Sequence, residues 1–138
     1  MMPHMVAVPL PDAPRIIVLE NKNTPPRPVS SFLSQSGFHV LAAHSPSEAL
    51  AGIDGNRCHA MVLDLHVPEP PDTDLVRTIR DHPDPFISHM VIALLSTSPL
   101  PSDRDFCMKA GADLFLTKPL PLRDVARLLR GYIRSRFP

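Results

Sequence analysis

Five short apolar runs recur along the chain, at residues 16–19, 38–43, 60–64, 90–95 and 113–117. Each is bounded by turn residues, which is the pattern of buried strands. Segments of helical spacing lie between them. The first helix is expected to begin near Arg27, because prolines at 25, 26 and 28 fit a helix only in its first turn. It carries Val29, Phe32 and Leu33 inward and stops at Gly37. Ser45-Pro-Ser-Glu48 is a capping box with proline at the first helical position, so a second helix starts there and runs to about Ile53. Leu75, Val76 and Ile79 mark a third helix, with Asp72, Thr73 or Asp74 as its N-cap. Residues 81–89, with Pro83 and Pro85, read as a loop. A fourth helix spans Asp103 to Ala110 and is capped by Gly111. A fifth runs from Leu122 to Ile133, with Leu122, Val125, Leu129, Tyr132 and Ile133 on the core side.

Strands that are apolar throughout suit a parallel sheet covered on both faces. Strict alternation with helices, joined by right-handed crossovers, predicts an α/β, doubly wound, five-stranded parallel sheet. The common strand order for five strands is 2-1-3-4-5, with a ligand crevice between the first and third strands. That order gathers particular polar residues at one edge. Asp64 ends the third strand, where an acid is costly to bury without a partner or a task. Glu20 and Asn21 end the first strand beside it. Ser96 and Lys118 reach the same edge from the fourth and fifth.

Composition narrows the picture only modestly. The 138 residues suit one domain, and 14 basic residues balance 14 acidic ones. No global basic field points to nucleic acid, so no direct nucleic-acid contact is expected. No apolar stretch has membrane-spanning length. Cys58 and Cys107 show no metal-ligand spacing and suit a reducing cytoplasm. Residues 1–14 are expected to be a disordered N-terminal arm and 15–138 the folded domain. Arg123, Arg127, Arg130 and Arg134 share one face of the last helix, either as a solvated surface or as a contact face.

Acids gathered at a strand edge call for a cation, and all-oxygen donors suit Mg²⁺. A carboxylate, a divalent ion, an ammonium and a hydroxyl together meet the needs of phosphoryl transfer: a nucleophile and charge neutralisation. In that reading Asp64 is the nucleophile, Lys118 and Mg²⁺ neutralise the phosphoryl oxygens, and Ser96 hydrogen-bonds one of them.

The chain also resembles the CheY-like receiver domains of two-component response regulators, from Arg15 to about Ile133. Asp64 followed by Val67-Pro68 is similar to the family's phosphoacceptor strand and its continuation. Ala110-Gly-Ala-Asp-Leu-Phe-Leu-Thr-Lys-Pro119 closely matches a family signature. The resemblance implies a flavodoxin-like (βα)5 fold and an aspartyl phosphate on Asp64. It makes Ser96 and Phe115 the switch residues and the Lys118–Pro119 bond cis. It implies Mg²⁺ held by Glu20, Asn21, Asp64 and the backbone carbonyl of His66. The implied partners are a histidine kinase or phosphotransfer protein, and a downstream protein reached through the fourth and fifth helices; a homodimer also fits. Transfer and slow hydrolysis would be catalysed in cis.

Three departures qualify that implication. The family's second acid after the first strand is Asn21 here. A unit charge pair at about 4 Å contributes about 4 kcal/mol at an effective dielectric near 20, so weak Mg²⁺ binding is expected. Glu20 is long enough to reach the ion as a partial replacement. Glu69-Pro-Pro-Asp72 stiffens the loop after Asp64, and Thr97 stands where the family prefers Ala or Gly. The alternative function is therefore a phosphorylation-independent pseudo-receiver that binds proteins. A flavodoxin-like small-ligand binder is a third option, without a Gly-rich phosphate loop to support it.

Overall fold

The structure is a computed structural model that describes residues 13–20, 29–64 and 72–138, with the backbone only at Asp72. The expected N-terminal arm falls outside the described residues except for Ala13 and Pro14. So do the expected helix start near Arg27 and the loop at 65–71. Among the described residues no helix is long and apolar enough to cross a membrane.

The strands are β1 (Arg15–Glu20), β2 (His39–Ala43), β3 (Ala60–Asp64), β4 (Val91–Ser96) and β5 (Leu114–Thr117). All pairings are parallel, and the order is β2-β1-β3-β4-β5. The helices are α1 (Val29–Gln35), α2 (Pro46–Gly55), α3 (Asp72–Arg80), α4 (Pro85–Ser88), α5 (Pro101–Ala110) and α6 (Leu122–Arg136). This is the doubly wound arrangement expected from the alternation, and its strand order is the one expected for five strands.

Side chains that alternate along each strand divide the core in two. Ile17, Met61, Leu63, Ile92 and Leu94 face a cluster built with α2, α3, α4 and α5. Ile16, Val18, Val62, Ala93 and Leu95 face a second cluster built with α1 and α6. Residues Ala60–Asp64 and Val91–Ser96 are buried throughout, as central parallel strands must be. Edge strand β2 leaves Leu41 37% exposed.

Several boundaries follow from local chemistry. Ser45 Oγ accepts the Glu48 N–H at 3.1 Å. The Glu48 carboxylate reaches back to the N–H of His44, one residue before the cap, at 2.7 Å. Gly37 and Gly111 end α1 and α5 at φ of +98° and +123°, conformations that side chains with a Cβ resist. The Gly111 carbonyl also accepts Arg80 Nε at 2.9 Å.

The structure corrects four details. The segment expected to be a loop at 81–89 contains α4, because Asp84 caps the Phe86 N–H at 2.9 Å and Pro85 takes the first helical position. Helix α3 already begins at Asp72, so Asp72, Thr73 and Asp74 all lie in its first turn and none of them precedes it as the cap. Helix α5 starts at Pro101, two residues before Asp103. On α6, Tyr132 is 37% exposed, and Ala126 takes a buried position that the spacing did not assign.

An ionic cluster joins α3, β5 and α6 at the N-terminal end of β4. Asp113 Oδ2 accepts the Ile92 N–H at 2.8 Å, and Arg80 and Arg136 at 2.9 and 3.0 Å. Its Oδ1 accepts Arg136 at 2.8 Å. Arg80 also donates to the carbonyls of Ser88 and Met90. Burial pulls the Arg80 guanidinium below its ordinary pKa, and the Asp113 charge opposes that pull. Asp113→Ala should therefore cost about 3 kcal/mol in urea unfolding, since it strands two guanidiniums and a strand N–H. A loss below about 1 kcal/mol, the range of a surface pair, would show that the cluster does not hold these elements together.

His59 lies nearby between the rings of Phe86 and Phe137, with centroids at 5.3 Å from each. Its Nδ1 accepts the Arg15 N–H at 3.0 Å. Burial, and next the Arg15 charge, hold the imidazole below its usual 6.5. The unfolded chain thus takes up the proton at higher pH than the folded one. Stability is full above about pH 6.5 and falls as pH drops through the lower folded value, by at most about 1.4 kcal/mol per unit for this group. Unfolding curves from pH 7 to 5 should show that slope, and His59→Gln should reduce it. An unchanged slope would assign the acid sensitivity elsewhere.

Candidate functional site

The register of the central strands builds the site. Glu20 pairs with Asp64 across β1 and β3, and Asp64 with Leu95 across β3 and β4. Ser96 pairs with Thr117, and the Lys118 N–H then donates to the Ser96 carbonyl at 2.7 Å. Four chain segments thus bring Glu20, Asp64, Ser96 and Lys118 to one edge of the sheet.

Burial decides what these groups can do. Asp64 is 7% exposed and Glu20 6%. Asp64 Oδ1 makes an ion pair with Lys118 Nζ and takes no further hydrogen bond among the described residues. Lys118 retains about a quarter of its side-chain exposure, so the pair reaches solvent on the ammonium side. Glu20 Oε1 accepts Ser30 Oγ, from the first turn of α1, at 2.7 Å. Its other oxygen, Oε2, is buried without a hydrogen-bond partner among the described residues. Two adjacent carboxylates, one with an orphaned oxygen, make a donor set that fits a hard cation. Among the described residues no group of three or more His, Cys, Asp and Glu side chains gathers to hold a metal. The other two expected ligands, Asn21 and the carbonyl of His66, lie outside the described residues.

Ser96 is 1% exposed, and its Oγ accepts the Ser98 N–H at 3.0 Å. A hydroxyl that accepts keeps its own proton to donate. Phe115 is 8% exposed and belongs to the core cluster on the α5 side of the sheet. Thr97 is exposed. The Lys118–Pro119 bond is cis, as the resemblance implies.

The four arginines of the last helix are not equivalent. Arg127 pairs with Asp124 at 2.6 Å. Arg130 lies over the Phe38 ring at 4.5 Å and donates to the Ser36 carbonyl, which ties α6 to the end of α1. Arg123 and Arg134 are exposed. Sequence reasoning missed Ser30, whose only signal is its place in the first turn of the helix after β1. It also passed over Ser98, which reads as an ordinary strand terminator.

Comparison with known proteins agrees with this geometry. The family model described as the response regulator receiver domain matches residues 16–130. The response regulator MprA of Mycobacterium avium is 30% identical over 124 residues, covering 90% of this chain and 53% of that protein. The chain therefore spans about half the length of the curated relatives it matches. A response regulator from Thermotoga maritima superposes with a TM-score of 0.75 at 22% identity, covering 89% of this chain and 99% of that one. The receiver domain of the sensor histidine kinase PA1611 from Pseudomonas aeruginosa, described with a magnesium ion in its active-site cleft, superposes with a TM-score of 0.68 at 23% identity. It covers 89% of this chain and 99% of that one. The chain belongs to the response regulator receiver domain family of two-component signalling.

Proposed function

We propose that the chain accepts a phosphoryl group on Asp64 and uses the charge it gains to alter a protein-binding face. The observation that carries this reading is the buried Asp64 carboxylate in contact with Lys118, beside a Glu20 oxygen that no described group satisfies. Such an arrangement is expensive to maintain for structure alone.

In the proposed reaction an Asp64 oxygen attacks the phosphorus of the donor. The bond from phosphorus to the donor nitrogen or oxygen breaks as the aspartyl phosphate forms. Lys118 would follow the transferred oxygens, and Ser96, whose Oγ accepts the Ser98 N–H, would donate its hydroxyl proton to one of them. Receiver domains generally bind Mg²⁺. Here Glu20 and Asp64, with Asn21 and the His66 carbonyl, would hold it, and it would supply charge neutralisation at the phosphoryl oxygens. Asn21 brings no charge, which weakens that hold and leaves Glu20 as the main additional anion. Phosphorylation adds about −1.5 to −2 charge at neutral pH, which would bear on Ser96 and, through Phe115, on α5 and α6.

The family's general partners are histidine kinases and phosphotransfer proteins, and we assign one of these as the phosphoryl source. The downstream partner is assigned to α5 and α6. Asn21 is the specific feature that favours the second reading, a pseudo-receiver that binds its partner without phosphorylation.

Beryllofluoride with Mg²⁺ mimics the acyl phosphate and separates the two readings. Titration followed by amide NMR should give saturable shifts at Asp64, Ser96 and Phe115, absent in Asp64→Ala. No shift at millimolar Mg²⁺ would favour the pseudo-receiver. Asn21→Asp should strengthen apparent Mg²⁺ affinity at least about tenfold, the size of a 1.4 kcal/mol gain. Glu20→Gln should weaken it by a similar factor. Equal affinity in all three proteins would mean that these side chains do not touch the ion.

A further inference from the structure

Ser96, Ser98 and Asp103 beside the site are joined by hydrogen bonds, one through the Ser98 backbone N–H and one through its hydroxyl, that the phosphoryl chemistry does not itself require. Ser98 is 2% exposed, although it lies in the connection between β4 and α5. Its N–H donates to Ser96 Oγ at 3.0 Å. Its own Oγ accepts the Leu100 N–H at 3.2 Å and donates to Asp103 Oδ2 at 2.5 Å. Asp103 lies in the first turn of α5, and its N–H donates to the Leu100 carbonyl at 3.2 Å. Leu100, the N-cap of α5, makes no side-chain cap hydrogen bond. Ser98 thus satisfies the N–H of the cap residue Leu100, and Asp103 holds Ser98 in place.

We propose that Ser98 and Asp103 are positioning residues that set the Ser96 hydroxyl and connect its position to the first turn of α5. The inference deepens the phosphoacceptor reading and rests on it. The physical argument begins with the valences of Ser96. With Ser98 N–H filling an acceptor site on Oγ, the remaining proton can donate to a group on Asp64 without breaking the existing bond. A displacement of Ser96 toward a phosphoryl oxygen then draws on Ser98. The Ser98 hydroxyl is held at both ends, by Leu100 and by Asp103, so the backbone between them cannot absorb the displacement by a rotamer change alone. A hydrogen bond to an ionised carboxylate is stronger than a neutral one, which makes the Asp103 end the firm anchor. The displacement reaches α5 at Asp103 and Arg104. Phe106, 47% exposed one turn further on, is then the surface residue that reports it.

The charges around this route are few. Lys118 faces the site side, through its contact with Asp64. On α5 the charged residues nearest Asp103 in sequence are Arg104 and Asp105, and Arg77 of α3 lies over the Phe106 ring at 5.9 Å.

The test has two arms on the whole chain. The first needs no phosphoryl analogue. Ser96→Ala removes the acceptor of the Ser98 N–H, and its amide spectrum should show shifts at Ser98, Leu100 and Arg104. In an Asp103→Ala background the same substitution should still move Ser98 but no longer Arg104, a non-additivity that marks a shared network. Additive shifts at Arg104 would overturn the proposal. In the second arm beryllofluoride and Mg²⁺ are added to wild type, Asp103→Ala and Ser98→Thr. Shifts at Lys118 should persist in all three. Those at Arg104 and Phe106 should be lost in Asp103→Ala and kept in Ser98→Thr, which retains the hydroxyl. Full α5 shifts in Asp103→Ala would refute the route. Loss of the shifts everywhere, Lys118 in wild type included, while the first arm stays non-additive, would refute the phosphoacceptor reading and leave the Ser96–Asp103 network standing.

Discussion

The whole site depends on the ion pair between Asp64 and Lys118 at the end of the central strands. Asp64 is 7% exposed and has lost most of its hydration, which the Lys118 ammonium offsets. That ammonium comes from the far side of β4, so the pair spans the fourth strand and requires β3, β4 and β5 in their observed register. A slip of one residue in any of these parallel pairings would send the acid or the ammonium to the other face. The chemistry thus constrains the sheet as firmly as the apolar core does.

The opposite end of the sheet shows how that register is secured. Asp113 joins β5 to the Ile92 N–H of β4 and to guanidiniums from α3 and α6. Arg80 adds three backbone carbonyls, from Ser88, Met90 and Gly111. Well-satisfied polar interactions hold one end of the strands, while at the site end a Glu20 oxygen has no hydrogen-bond partner among the described residues. This asymmetry is expected of a scaffold that is rigid where it is not used and poised where it is.

Much of the fold was legible in the sequence because its signals are local. The five apolar runs need only burial on two faces to become strands, and Ser45-Pro-Ser-Glu48 and the two capping glycines mark helix ends through contacts a few residues long. The edge carrying Glu20, Asp64, Ser96 and Lys118 was legible once strand order was assumed. What failed had either a masked local signal or none. Asp84-Pro85 is a sound helix start, yet among so many prolines it reads as one more interruption. Pro101 hid the start of α5 in the same way. Tyr132 fits the apolar spacing of α6, but it sits at the margin of the buried stripe, and the small Ala126 fills the centre. The partners of Asp113 lie 33 and 23 residues away, where no periodicity points. The Ser98–Asp103 bond spans only 5 residues but matches no capping pattern, because the residue between them at the cap is Leu100.

Asn21 gives the proposed chemistry a particular character. Glu20, Asp64 and Lys118 together leave the edge with a net charge near −1, where an aspartate at 21 would leave it near −2. A divalent cation is attracted less strongly to the resting site, by an amount on the scale of a few kcal/mol at short range. A phosphoryl group arriving with its own negative charge restores that attraction, so cation and phosphoryl group favour each other's presence by linkage. The same missing charge lessens repulsion between the site and an incoming anionic donor. In the proposed reaction Asn21 would thus weaken the resting metal site while easing the approach of the group to be transferred. Which effect governs the rate depends on Glu20, whose unsatisfied oxygen is the described anion nearest in register to Asp64. If Glu20 takes over the missing ligation, the cation requirement shifts in concentration and the switch is preserved. If Ser30 holds Glu20 back at Oε1, the fold and its binding face persist without the transfer chemistry.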